Sequence, residues 1–334
     1  MALRLAINGC GRIGRNILRA QLESPRADID IVMVNDLADI ATTAHLLTYD
    51  SIHGMASADI GYDEENLIIA GKKIAYRQQA DPTQLDYQDV NVDLVLECTG
   101  RFTTGPEASA HLKAGAKRVL ISAPAKQIDR TIVYGVNHTD LTAADLLISN
   151  ASCTTNCLAP LIDVIDKSCG ITQGFMTTIH AYTSDQQLLD SEHRDLYRAR
   201  AAAVNMIPTT TGAARAISLV LPHLAGRLDG VAVRVPTPNV SVVDLVFQPE
   251  RAMSAQALNQ KMQEASAGWL SGVLDVTDRP LVSSDLNHHP ASSILHLDQT
   301  KVMDGGMTRI FSWYDNEWGF SNRMLDTAQY LSKL

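Results

Sequence analysis

Through the first 150 residues, short apolar runs rich in β-branched side chains alternate with segments whose apolar residues recur every three or four positions. Leu3–Ile7, Ile29–Val34, Val92–Glu97 and Arg118–Ser122 read as strands covered on both faces, and Arg12–Glu23 carries helical spacing. That rhythm predicts a parallel sheet with crossover helices. Leu146–Ser149 is a further strand candidate. After it, Leu158, Leu161, Ile162 and Ile165 fall on one helical stripe, and Pro160 within the stripe predicts a kink in its first turns.

Beyond about residue 170 the pattern changes to longer extended stretches, Phe175–Thr183, Val231–Phe247 and Thr308–Tyr314, with helices expected near Thr211–Leu221 and Ser254–Gly268. This predicts a second, α+β domain built on a mainly antiparallel sheet. Trp318–Leu334 reads as one amphipathic helix with Met324, Leu325, Ala328 and Leu331 on its stripe.

A chain of 334 residues suits two domains, and 46% apolar with 19% charged residues is a globular composition. No run reaches the roughly 18 apolar residues of a membrane helix. The net charge of −9, without a Lys/Arg block, disfavours binding to nucleic-acid backbone. Five cysteines, at 10, 98, 153, 157 and 169, lack the pairing of a disulfide framework or zinc ribbon, so no metal site is expected and a reducing compartment is. The N-terminal residues pass directly into a strand-like run with no signal-peptide pattern, so the expected location is the cytoplasm.

The first strand leads into Gly9-Cys10-Gly11-Arg12-Ile13-Gly14 and then a helix. Gly9 permits the tight turn, Gly11 lets the backbone approach a pyrophosphate, and Gly14 allows close helix packing, with the helix N-terminus offering donors to phosphate. The second strand ends at Asp36, 22 residues after Gly14, where a carboxylate can accept from ribose hydroxyls and repel a 2′-phosphate, favouring NAD over NADP. The plainer alternative is that Asp36 caps the next helix.

Cys153, in Asn150-Ala151-Ser152-Cys153-Thr154-Thr155-Asn156-Cys157, falls between a strand end and a helix start, where the helix dipole is expected to lower a thiol pKa. The neighbouring hydroxyls and helix N–H groups also suit an anion. Cys10, Cys98 and Cys169 read as small core residues, while Cys157 suits packing better than metal binding. His180 lies on an alternating strand, opposite in direction to Ile179, and can serve as base to Cys153. Spacing alone does not select it among ten histidines.

Taken together, Ser152–Cys157, His180-Ala181-Tyr182-Thr183, Pro208–Ala214, Arg234–Ser241 and Trp313–Gly319 resemble, in order and along essentially the whole chain, the phosphorylating glyceraldehyde-3-phosphate dehydrogenase family. The resemblance implies a Rossmann dinucleotide-binding domain over residues 1–151, completed by the C-terminal helix 318–334, and a catalytic domain over 152–317. It implies that Cys153 attacks an aldehyde, that His180 takes the proton, and that inorganic phosphate resolves the resulting thioester to 1,3-bisphosphoglycerate. Thr183 and Arg234 then match the substrate-phosphate pocket. Ser152, Thr154, Thr211 and Gly212 match the inorganic-phosphate pocket, with Arg198 reaching this region. Arg12, Ile13, Asp36, Thr99, Ser122 and Asn316 match positions around NAD. Without the resemblance Arg234 reads as a strand-face charge, Ser122 as a turn hydroxyl and Asn316 as a turn residue. A homotetramer is also implied, with the loop near residues 183–205 between subunits.

The chain departs from the family pattern at Ser191-Glu192, where many NAD-specific members carry Leu-Pro, at Tyr197, and at Ala80, which is not expected to contact cofactor. Asp36 and Glu192 together are expected to keep NAD selectivity by charge. The rival reading is erythrose-4-phosphate dehydrogenase, in which water resolves the thioester; the His180–Thr183 and Thr209–Gly212 segments weigh against it. A non-catalytic NAD-binding protein is disfavoured by the presence of both Cys153 and His180.

Overall fold

A computed structural model describes residues 2–334. The chain divides into two compact units. The first holds the residues up to Tyr134, His138–Ser152 and Ser321–Leu334; the second holds Gly135–Asn137 and Cys153–Phe320.

In the first unit, strands β1 (Leu3–Asn8), β2 (Ile29–Asn35), β3 (Ile60–Tyr62), β4 (Asn66–Ile69), β5 (Lys72–Arg77), β6 (Leu94–Glu97), β7 (Arg118–Ile121), β8 (Arg130–Thr131) and β9 (Leu147–Ser149) form one sheet in the order β8-β9-β7-β6-β1-β2-β5-β4-β3. All pairings are parallel except those of β4 with β3 and β5. The interior strands are apolar because both faces are covered: Leu5, Ile7, Met33, Val34, Val95, Leu96, Val119 and Leu120 are all buried. Helices α1 (Arg12–Glu23), α2 (Ile40–Thr48) and α3 (Gly105–Lys113) belong to this unit. Thr104 and Glu107 close α3 with a reciprocal capping box. From β1 the chain crosses through α1 to β2 on one side and later returns to β6 on the other. The carboxyl end of β1 is therefore the topological switch point, where open α/β sheets bind ligands.

The second unit is built on β10 (Ile171–Ala181), β11 (Ile207–Thr210), β12 (Leu228–Val235), β13 (Ser241–Pro249), β14 (Leu274–Thr277), β15 (Ser293–His296) and β16 (Thr308–Tyr314), in the order β11-β12-β10-β13-β16-β15-β14, with Lys301–Val302 paired to β16. The pairings are antiparallel except β10 with β12 and β14 with β15. Helices α4 (Cys153–Cys169), α5 (Ala213–Val220) and α6 (Ala255–Ala267) pack together, and α4 also lies against the sheet. Leu158, Leu161, Ile162 and Ile165 form its fully buried stripe.

Two details differ from the sequence expectation. Residues 231–247 are two strands rather than one, because Pro236-Thr237-Pro238-Asn239 turns the chain between β12 and β13. Helix α4 continues through Pro160, where the proline withholds a donor from the carbonyl of Asn156. The last helix, α7 (Trp318–Leu331), ends before the final residues. Its latter part belongs to the first unit, where Thr327 donates to Asn150 (2.9 Å), Asp326 pairs with Arg26 (2.7 Å) and the Leu331 carbonyl accepts from Arg118 (3.1 Å).

Candidate active site

At the switch point of the first unit, Gly9 has φ +95°, and a Cβ there would stand 2.8 Å from the Thr99 backbone nitrogen. A Cβ on Gly14 would stand 2.2 Å from the Gly9 carbonyl oxygen, so both positions require glycine. Gly11 is different: nothing lies within 4 Å of its Cβ position, and as N-cap of α1 it makes no side-chain cap. The space beside Gly11 is therefore open at the start of α1, where a pyrophosphate could approach the backbone closely. The adjoining cleft is lined by Asn8, Asn35, Asp36, Gln79, Thr99 and Phe102, among others.

Asp36 accepts from the Cys10 amide at 2.6 Å and from the Ala38 amide at 2.9 Å, leaving acceptor capacity toward the cleft. It is not the cap of α2. That position is filled by Asp39, which accepts from the Thr42 amide, so the capping alternative for Asp36 falls away. The Arg12 guanidinium is bound to Asp50 and, with backbone amides, holds that carboxyl well below the usual carboxylate range, a net effect that outweighs the opposing burial. Ser122 donates its amide to the Glu97 carbonyl (2.9 Å), and its hydroxyl bonds the Cys98 thiol.

In the second unit Cys153 is the first residue of α4. Immediately before it, half-buried Ser152 follows Ala151, a non-glycine residue at φ +56° that turns the chain into the helix. On β10 the usual alternation is inverted: Thr178 and His180 point inward, while Phe175 and Ile179 are exposed. The inward register brings His180 Nε2 to 3.6 Å from Cys153 Sγ. His180 Nδ1 lies 2.7 Å from the Ala181 carbonyl, which can only accept, so the ring proton sits on Nδ1 and the Nε2 lone pair faces the sulfur.

Burial pushes the Cys153 thiol above its ordinary value, opposed by Arg234 and by hydrogen bonds at Thr154. This corrects the expectation of a lowered thiol: enclosure penalises the thiolate more than the helix terminus and Arg234 favour it. His180 is pushed down to about 3, by burial first and then by Arg234.

Arg234 lies on β12, in register with His180. Its Nη1 donates to the Thr183 hydroxyl (2.7 Å) and the Ala181 carbonyl (3.2 Å), while its buried Nε has no protein acceptor, so the fork retains donors for an anion. Arg198 is bound to Asp185, and its Nε donates to Thr209 at 3.0 Å. Thr211 accepts from the Ala213 amide (3.2 Å), and Gly212 is the N-cap of α5. Asn316 accepts from the Ser241 hydroxyl at 2.8 Å, which fixes its side-chain amide.

With this geometry in view, residues 3–105 match the glyceraldehyde 3-phosphate dehydrogenase NAD binding domain, and residues 152–316 match the C-terminal domain of the same family. The chain is 58% identical over 334 residues to glyceraldehyde-3-phosphate dehydrogenase of Cereibacter sphaeroides and 56% identical over 334 residues to that of Xanthobacter flavus, covering 100% of each chain. Against that of Geobacillus stearothermophilus the identity is 52% over 333 residues, 99% of each. The chain belongs to the glyceraldehyde 3-phosphate dehydrogenase family.

Within this dehydrogenase fold, Cys153, His180, Thr154, Thr183 and Arg234 form one set around the sulfur and its anion donors. Arg198 adjoins Thr209 and Asp185 instead. Sequence reasoning missed Tyr314. Thr178 donates to the Val242 carbonyl (2.9 Å), so it accepts from Tyr314, which in turn accepts from Thr154, each at 2.8 Å. Burial keeps that phenol protonated, and its ring makes a T-shaped contact with His180. Asn8 and Asn35 were also missed. The legible signal was a polar residue ending each of two apolar strands at the switch point. Ala80, set aside from the sequence, does line the cleft.

Proposed function

We propose that the chain oxidises D-glyceraldehyde 3-phosphate to 1,3-bisphosphoglycerate with reduction of NAD, in glycolysis and gluconeogenesis. The observation that carries this reading is the half-buried thiol of Cys153 facing the Nε2 lone pair of a histidine whose other nitrogen is tied to backbone. The glycine turn, the open space beside Gly11 and Asp36 fit a nicotinamide dinucleotide, with Gly9, Gly11, Gly14, Arg12, Ile13, Thr99, Ser122 and Asn316 as its other contacts. Bound NAD supplies the hydride acceptor.

Cys153 adds to the aldehyde carbon to form a hemithioacetal, its thiol proton passing to His180 Nε2. The first turn of α4, with Thr154, donates to the developing oxyanion. His180 Nε2 returns that proton to the alkoxide to complete the hemithioacetal hydroxyl and takes it back as the C1 hydride departs to the acceptor, leaving a thioester on Cys153 and the proton on His180. Arg234 and Thr183 hold the substrate phosphate, while Ser152, Thr154, Thr211, Gly212 and Arg198 receive inorganic phosphate. Phosphate oxygen attacks the thioester carbon, the C–S bond breaks, and the thiolate leaves as its proton returns from His180.

The functional domains are 1–151 with 318–334, and 152–317. The working assembly is a homotetramer: Leu188, Leu189, Leu196, Val204 and Met206, each more than 70% exposed, crowd one segment and call for a partner surface. The five cysteines are free, in keeping with a cytoplasmic location, and among the described residues no helix is long and apolar enough to cross a membrane.

The test is NADH formation from glyceraldehyde 3-phosphate with and without inorganic phosphate, beside erythrose 4-phosphate and a Cys153→Ser control. Phosphate-dependent turnover lost in C153S is expected. Faster, phosphate-independent oxidation of erythrose 4-phosphate would overturn the assignment.

A further inference from the structure

Beneath the nucleotide cleft of the first unit runs a buried polar chain that the thiol chemistry does not use. Glu97 closes the apolar run Leu94-Val95-Leu96 of β6 with a fully enclosed carboxylate. Its oxygens accept from the Thr99 amide (2.7 Å), the Thr99 hydroxyl, Asn8 Nδ2 (2.6 Å) and His111 Nε2 (3.0 Å). A carboxylate can only accept, and four donors fill its roughly four sites.

The donors are set from behind. His111, on α3, is fully buried, and its Nδ1 lies 2.8 Å from the Tyr87 hydroxyl. Burial pushes the Tyr87 phenol well up, so it keeps its proton and donates to Nδ1. His111 is then the Nε2–H tautomer, donating to Glu97. On the other side Asn8 accepts from Asn35 Nδ2 (2.7 Å), and the Asn35 amide closes on the Gln79 backbone at 2.9 Å in both directions. Thr99, Asn8, Asn35 and Gln79, which all line the cleft, are thus aimed by one buried acid.

A charge without a cation partner at the end of an apolar strand is costly to bury, and an apolar residue would pack there without that cost. Glu97 orders the two residues that flank the glycine turn in space, Asn8 from β1 and Thr99 after β6. We infer that Glu97, held by His111, is a positioning residue for the dinucleotide site: it fixes the Thr99 turn and the Asn8 amide in the orientation that receives the nicotinamide cofactor. This rests on the functional reading above.

The experiment uses the full-length enzyme and compares wild type with E97Q, H111L and H111Q. Dissociation and Michaelis constants for NAD, kcat at saturating NAD, and the rate of Cys153 alkylation without cofactor are measured on folded protein. E97Q and H111L are expected to raise the NAD constants about tenfold or more, as loss of charge-assisted hydrogen bonds implies, while kcat and alkylation stay within about threefold. H111Q, whose amide can still donate to Glu97, is expected to recover most of the affinity. Unchanged NAD constants in folded E97Q and H111L, even with lowered melting temperature, would overturn the positioning role and leave the functional reading intact. A wild type that binds no NAD would overturn both. If E97Q does not fold, the comparison of H111L with H111Q decides.

Discussion

His180 presents a fixed lone pair to Cys153: Nε2 lies 3.6 Å from the sulfur while Nδ1 is anchored to the Ala181 carbonyl at 2.7 Å. The anchor makes the ring a base toward sulfur without any carboxylate behind it. His180→Asn cannot take the proton, so kcat is expected to fall about 10²- to 10⁴-fold with the NAD dissociation constant unchanged. Steady-state rates beside calorimetric NAD binding check this; a loss below tenfold would remove His180 from proton transfer.

The protonation states of this pair carry a signed pH dependence. The thiol is held above, and the histidine below, its ordinary value, so near neutrality the cofactor-free pair rests as thiol and neutral imidazole. Alkylation of Cys153 by iodoacetamide is expected to accelerate as pH rises into the alkaline range. A rate already flat from mildly acidic pH upward would instead reveal a resting thiolate with imidazolium. Stability follows a different sign argument. Unfolded chains protonate this histidine below pH 6.5 and the folded protein only near 3, so folding free energy is lost as pH falls through that window. His180→Asn should flatten that slope.

Arg234 reaches the Thr183 hydroxyl at 2.7 Å and keeps its buried Nε unspent. Lysine preserves the charge and loses the fork. Arg234→Lys is expected to raise the KM for glyceraldehyde 3-phosphate about 10- to 100-fold, the size of one lost hydrogen bond to a charged group. Cofactor affinity should not move, and an equal change in both constants would show general damage.

Tyr314 joins Thr154 at the start of α4 to Thr178 on β10 through its hydroxyl. Tyr314→Phe leaves the Thr154 donor and a Thr178 acceptor site unpaired in a buried place, a cost of about 1–3 kcal/mol. Denaturant unfolding read at equilibrium should show a lowered midpoint with an unchanged slope. An unchanged midpoint would mean the threonines find other partners.

How far all this was legible depends on which force shapes each segment. The parallel strands of the first unit announce themselves because burial on both faces demands unbroken apolar runs, and the glycine turn because sterics exclude every other residue at Gly9 and Gly14. The β4–β5 hairpin is obscure in sequence: Lys72-Lys73 interrupts its apolar pattern, and it turns on Ala70-Gly71, with Ala70 itself at positive φ. Nothing in spacing joins Cys153 to His180, since they meet through the register of β10 against α4. The desolvation around half-buried Cys153 was equally invisible, and it reversed the expected direction of the thiol's shift. Tyr314 escaped notice because its role is a pair of hydrogen bonds to residues more than 130 positions away.

The first unit draws its last helical segment from the far end of the chain, and that sets the order in which the molecule can be finished during synthesis. Asn150, Arg26, Asp28 and Arg118 emerge early, yet their partners Thr327, Asp326, Gln329 and Leu331 emerge only after the whole of the second unit. The nucleotide-binding unit is therefore begun first and closed after the thiol-bearing unit is already made. A nascent chain stopped short of Ser321 would carry Cys153 and His180 while its nucleotide-binding unit still lacked the segment that closes it, so the thiol-bearing unit is made before its neighbour is complete.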